Sequence, residues 1–175
     1  RDIRLSGYGT PPERQRLVVR TQDNVFRNEV METVDGGAMH IQFRDETSLR
    51  LGSESQVVLD EYIYAPFKAT KSQMTITLAK GVFRFVSGKM KKSSYRVVTP
   101  SAYIGVRGTD FLVTVTDDST VIDLYEGEIE VEDTRGGDDT VAPVAVAAGQ
   151  SVTLSPAAAV PTIGVATPPS DTALS

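Results

Sequence analysis

Met39-His40-Ile41-Gln42-Phe43-Arg44 sets apolar side chains at 39, 41 and 43 against polar ones at 40, 42 and 44. Successive side chains of an extended chain point to opposite faces, so this period of two describes a strand with one face in a core and one in water. The apolar face resumes at Leu49 and Leu51, and the alternation returns in Met74 to Leu78, in Phe111 to Thr116 and in Glu128 to Glu132. Turn signals separate these runs at Asp35-Gly36-Gly37, Asp45 to Ser48, Gly52-Ser53, Ser87-Gly88-Lys89, Glu126-Gly127 and Arg135-Gly136-Gly137; the strands therefore follow one another at about eight to twelve residues. No window carries the three-and-four apolar repeat of a helix, and β-branched residues dominate. The expectation is an all-β fold with little helix, either a twisted two-sheet sandwich or a flattened β-solenoid or jelly-roll-like stack of short antiparallel strands.

Outside this patterned region the composition changes. Residues 1–16 are polar, with Gly7, Gly9, Pro11 and Pro12, and read as an irregular N-terminal arm. Residues 155–175 hold four of the nine prolines and a single charge, Asp171, and read as a Pro/Ala/Thr-rich tail or linker. The β domain is accordingly placed at 17–154. Phe43 to Leu51 and Val115 to Leu124 echo each other as strand, acidic-hydroxyl turn, strand. This is either an internal duplication or the ordinary use of Asp and Ser in turns, where their side chains bond the local backbone.

A chain of 175 residues and 18.9 kDa has the length of one domain with a real core. It contains no cysteine, which removes thiol nucleophiles, thiolate metal sites and disulfides. Its one histidine, His40, lies on the polar side of its strand and has no second ligand nearby in sequence, so it reads as a solvent-facing residue. There is no Gly-rich phosphate loop, no Gly-x-Ser-x-Gly elbow and no His-Glu-x-x-His, and without tryptophan a sugar-stacking cleft is poorly supplied. The expectation is a protein that is not an enzyme and uses no cofactor or metal. The acidic turns Asp117-Asp118 and Asp138-Asp139 offer oxygens to calcium, but neither matches the calcium-loop pattern, and acidic turns are ordinarily solvated. No run approaches the length that spans a bilayer. Arg1 opens the chain without an apolar targeting segment.

The net charge of −5 conceals two adjoining stretches of opposite sign. Lys80 to Arg107 holds seven basic residues and no acidic one, whereas Asp117 to Asp139 holds ten carboxylates and one Arg. An acidic total argues against nucleic acid. The basic hairpin residues Lys89, Lys91, Lys92 and Arg96, and the acidic strand face of Glu128, Glu130 and Glu132, are the candidate partner contacts, suited to a head-to-tail association with a second copy or to another protein. Exposed sheet edges offer a second mode of contact.

Thr99-Pro100 forces an extended approach and a turn or edge position. Gly105 and Gly108 bracket Arg107, which suggests a close backbone approach or positive φ, with the guanidinium clamping nearby carbonyls or a carboxylate, either as a buried, fold-specifying Arg or as a ligand-binding one. The segment Lys80-Gly81-Val82-Phe83-Arg84-Phe85, Thr99-Pro100-Ser101-Ala102 and Val106-Arg107-Gly108-Thr109-Asp110-Phe111 resembles the FecR domain. Also similar are Ile41 to Thr47, Leu51 to Ser55, Val57 to Asp60, Tyr125 to Val131 and Val146 to Val152, so the resemblance runs from about Val18 to Leu154. Thr99, Pro100, Arg107, Gly108, Thr109 and Asp110 are its fold signature.

The resemblance implies an all-β, extracytoplasmic, non-enzymatic module of the bacterial envelope, periplasmic or at the cell surface. In the best-known members a cytoplasmic segment binds a sigma factor, a membrane helix follows, and the periplasmic part reads an outer-membrane protein. These residues include neither of the first two parts, so the favoured expectation is the stand-alone exported type, a protein-binding or scaffolding module. The alternative is the periplasmic sensing part of an anti-sigma-type regulator, and a third is a polysaccharide-active or sugar-binding β domain.

Overall fold

The computed structural model describes residues 7–11, 15–67, 71–135 and 142–168. In chain order its strands are β1 (Gly7–Thr10), β2 (Leu17–Val18), β3 (Glu29–Thr33), β4 (Met39–Gln42), β5 (Ser48–Leu51), β6 (Gln56–Ile63), β7 (Gln73–Val86), β8 (Tyr95–Val98), β9 (Ala102–Val106), β10 (Asp110–Val115), β11 (Thr120–Glu126), β12 (Glu128–Asp133), β13 (Val144–Ala147), β14 (Gln150–Leu154) and β15 (Thr162–Val165). Helical structure among the described residues amounts to short 3-10 turns such as Lys92–Ser94. The chain is all-β, as the alternation predicts.

The organising element is β7. Its first half, 73–80, lies between β6 and β8; its second half, 81–86, lies between β5 and β10. The strand therefore belongs to two sheets, one ordered β2-β1-β3-β6-β7-β8-β9-β12-β13 and the other β4-β5-β7-β10-β11-β14-β15. Burial along β7 records the passage between them. Met74, Ile76 and Leu78 are buried in the first half, Phe83 and Phe85 in the second, so the inward set changes from even to odd positions at Lys80-Gly81. Gly81 makes this inversion with φ +108, and a Cβ there would stand 2.5 Å from Ser55 Cα. The Ser55 hydroxyl in turn accepts the Val82 N–H at 3.0 Å and fixes the bend.

The two sheets close over a single core. Phe85 of the second sheet meets Tyr95 of the first edge-on at 5.9 Å between ring centroids and lies 5.3 Å from Phe111. Ser101, between β8 and β9, bonds Thr120 of β11 at 2.7 Å across the layers. All fifteen strands are joined through β7 into one hydrogen-bonded sheet, whose two halves share this core. One pairing departs from the antiparallel expectation: β7 and β8 are parallel, from Met74↔Tyr95 to Thr77↔Val98. Parallel neighbours need a long crossover. Residues 78–94 supply it by running out through the other sheet and back.

A buried polar knot ties the crossover down. Asp45, fully buried in the β4–β5 turn, accepts hydrogen bonds from the Tyr95 hydroxyl at 2.8 Å, the Thr47 hydroxyl at 2.5 Å and the Tyr62 hydroxyl at 3.2 Å. Its own carbonyl accepts the Lys89 N–H at 2.7 Å, and Thr47 Oγ1 accepts the Gly88 N–H at 3.1 Å. Buried groups satisfied in this reciprocal way specify one geometry.

Three sequence expectations are corrected. Gly7–Thr10, expected within an irregular arm, forms β1 between β2 and β3; Gly7 permits the close approach, since a Cβ would lie 2.1 Å from the Glu32 carbonyl oxygen. Residues 162–165, expected within a tail, pair with β14 as β15. The basic segment 89–92 is the crossover loop into a parallel strand and not a hairpin.

Candidate functional site

Thr99 and Pro100 make the β8–β9 turn, where Thr99 Oγ1 accepts the Ala102 N–H at 3.0 Å. Gly108 turns the chain from β9 to β10 with φ +72, under the Lys92 stem. Arg107 is not the buried clamp that its flanking glycines suggest. Its side chain is half exposed and pairs with Glu130 at 2.6 Å, both groups near 50% accessible (50% and 46%). The clamp is Arg84, whose sequence context marks it only as part of a strand. Arg84 Nε and Nη2 donate to the two oxygens of Asp110 at 3.0 and 2.8 Å, with only 23% and 16% of the side chains accessible. A signal for it was present: an Arg between Phe83 and Phe85 on a strand faces away from the core beside whichever neighbour offers a carboxylate. What sequence did not show was the register that brings Asp110 alongside.

Two-pronged ionic hydrogen bonds in a half-buried setting are worth about 1.5–3 kcal/mol, against about 0–1 for exposed pairs. Arg84→Ala is therefore expected to cost about 2 kcal/mol and Arg107→Ala under about 0.5, read from urea unfolding curves of the two variants beside the parent chain. Equal costs would remove Arg84 from its structural role.

The candidate contacts fall on the outer face of the first sheet and on the crossover loop. Glu128, Glu130 and Glu132 alternate with the buried Ile129 and Val131 on β12. Arg96 and Glu130 lie opposite Gly105 from its two sides, and the Arg96 guanidinium covers the Tyr103 ring at 4.3 Å. Lys89 pairs with Glu46, while Lys91 and Lys92 are exposed. The opposite charges are thus interleaved, and several are satisfied within the chain, rather than parted into two poles. Asp117 and Asp118 occupy the β10–β11 turn; Asp138 and Asp139 lie outside the described residues. Among the described residues no three carboxylate or imidazole groups converge as a metal site would require.

A further concavity lies elsewhere. A groove of about 1400 Å³ opens between β4 and the segment 18–27. Met31, Met39, Ile41 and Phe43 reach it from the core side, Val19, Val25 and the exposed Phe26 from the facing wall. Arg20, Arg27 and Arg44 line it as well, with Asp23 as the carboxylate, whose Oδ2 accepts the Arg20 N–H at 2.8 Å. Sequence reading missed this site, because it exists only where the second sheet stops at β4 while the first continues through β3, β1 and β2. Among the described residues β4 pairs with β5 alone. On its outer face His40 bonds Ser48 Oγ at 2.8 Å; partial desolvation of the ring, then the Arg50 charge, hold the imidazole below its ordinary pKa.

The groove thus adjoins the unpaired side of β4. Among the described residues no helix is long and apolar enough to cross a membrane. Two crystal structures, at 1.65 and 2.50 Å, described as a "putative anti-sigma factor" from Parabacteroides distasonis ATCC 8503, share the fold. Their TM-scores are 0.59 and 0.60 at 13% identity, and each match covers 78% of this chain and 59% of the other. The chain thus spans less than two thirds of those relatives. No curated protein matches it. The family model for FecR protein matches residues 29–130, from the start of β3 into β12, and with more than half of its length inside that match the chain belongs to the FecR family.

Proposed function

We propose that the chain is the extracytoplasmic sensing part of an anti-sigma-type regulator, a non-enzymatic module that reads another envelope protein. The observation that carries this is the fold shared over 78% of the chain with the structures described as a "putative anti-sigma factor", together with family membership. The head-to-tail contact expected of a scaffold drew on segregated charge, and the pairing of Lys89 with Glu46 and of Arg107 with Glu130 weakens that basis. The open groove beside an edge strand gives a sensing module a surface to use.

In the native host, deletion of residues 29–130 from the complete protein is expected to change the transcript levels of one sigma-dependent set of genes several-fold. Transcripts that stay at parental levels, with the truncated protein present in the envelope fraction, would overturn the sensing role.

A further inference from the structure

The β4 edge carries three features that together define what fits it. First, it is an unfinished sheet. Phe43 donates its N–H to Thr47 O at 2.9 Å, back toward β5. Because successive amides alternate in direction along a strand, the N–H groups of His40 and Gln42 point outward to the open side. Second, the inward side of the groove is apolar at Met39, Ile41 and Phe43, so an added strand buries apolar side chains at every second position. Third, the outward side is basic. His40, Arg50 and Arg84 form one register row across β4, β5 and β7, and Arg44 continues the outward set of β4.

Like charges directly opposite each other across strands are unfavourable. Arg84 is balanced by Asp110, whereas among the described residues no carboxylate pairs with Arg44 or Arg50. Nearby carboxylates are engaged elsewhere: Glu46 with Lys89, and Asp23 with the Arg20 amide. A shallow pocket lined by Ser48, Arg50, Arg84 and Val86 lies between the two arginines. Neighbouring strands stand about 4.8 Å apart, so a long acidic side chain on a strand added beside β4 reaches the Arg50 guanidinium past His40.

We infer that β4 is the docking edge for an extended segment of a partner protein whose residues alternate acidic and apolar, the acidic side chains facing Arg44 and Arg50 and the apolar ones filling the groove. This rests on the sensing role and names the class of segment recognised. Main-chain hydrogen bonds to the His40 and Gln42 amides give affinity, and the charge row selects the partner.

The test uses the 175-residue chain and two fluorescein-labelled synthetic heptapeptides, one alternating Glu and Val and the other alternating Lys and Val, followed by fluorescence anisotropy. The Glu peptide is expected to bind saturably, at least tenfold more tightly than the Lys peptide, and to weaken as salt rises. Arg50→Glu is expected to lower its affinity at least tenfold and to raise that of the Lys peptide. Gln42→Pro removes one outward N–H at an edge position where proline is tolerated, and is expected to abolish binding of the Glu peptide. Circular dichroism checks that the proline variant is folded; should it unfold, Arg50→Glu alone decides. Equal binding of the two peptides, or binding unaffected by Arg50→Glu, would overturn the inference. So would concentration-dependent self-association through β4 in place of peptide binding. If deletion of 29–130 alters the transcripts while Arg50→Glu and Gln42→Pro in the complete protein do not, the sensing role stands and the β4 edge is not its reading site.

Discussion

Gly81→Ala is expected to lower the thermal unfolding midpoint by roughly 10 °C. At φ +108 a side chain of ordinary handedness costs about 1–2 kcal/mol. The added Cβ would also stand 2.1 Å from Ser55 Oγ and 2.5 Å from Ser55 Cα. The hydroxyl can rotate away, but the Cα belongs to the backbone leading into β6, so the bend itself must shift, at a further cost of about 1–3 kcal/mol. A sum of about 3–4 kcal/mol in a chain of this size corresponds to a drop of about 2–4 °C per kcal/mol. Gly36→Ala is the control: φ is +65, nothing lies within 4 Å of the new methyl, and only the local backbone cost applies. Circular dichroism melts of both variants distinguish the two causes, and equal shifts would show that the approach of Ser55 contributes nothing.

Asp45→Ala is expected to cost about 4 kcal/mol. The carboxylate is the common acceptor for Tyr95, Thr47 and Tyr62, and its loss strands hydroxyl donors where water does not replace it, at about 1–3 kcal/mol for each unsatisfied group. Asp45→Asn keeps one acceptor oxygen and is expected to lose roughly half as much. Denaturant titration measures both, and a loss under about 1 kcal/mol for the alanine variant would show the knot to be dispensable. The same knot sets an alkaline limit. Burial, foremost, and the Asp45 charge push the hydroxyls of Tyr62 and Tyr95 from 10.0 up to about 12. The folded state therefore keeps those protons where the unfolded chain releases them. Stability from this source is complete below pH 10 and falls between pH 10 and about 12; titration to pH 12 is expected to unfold the chain through that window.

Strand alternation made the class of the fold legible because burial on one side of a sheet imposes period two wherever it occurs. Met39 to Arg44 and Glu128 to Glu132 stand as that rule requires, and the two echoing segments are the hairpins β4–β5 and β10–β11, which flank β7 on either side. Long-range register is another matter. Nothing local in Lys80-Gly81 tells that the inward set changes parity there, and without that the parallel β7–β8 pair, the Arg84–Asp110 clamp and the groove beside β4 stay hidden. Asp45 is the sharpest instance. Between Arg44 and Glu46 it reads as one more solvated turn acid, and only Tyr95, fifty residues on, makes it a core residue.

A strand held in common by both sheets also governs how the molecule comes apart. Separate sheets joined by a flexible link unravel one at a time, each with its own opening free energy. Here the amides of β7 are the rungs for four neighbours, two on each side of Gly81, so releasing either layer removes partners from the other. Native-state hydrogen exchange should find β5, β6, β8 and β10 opening with one shared free energy, a single cooperative unit in which an event at the β4 margin is felt energetically as far away as β12.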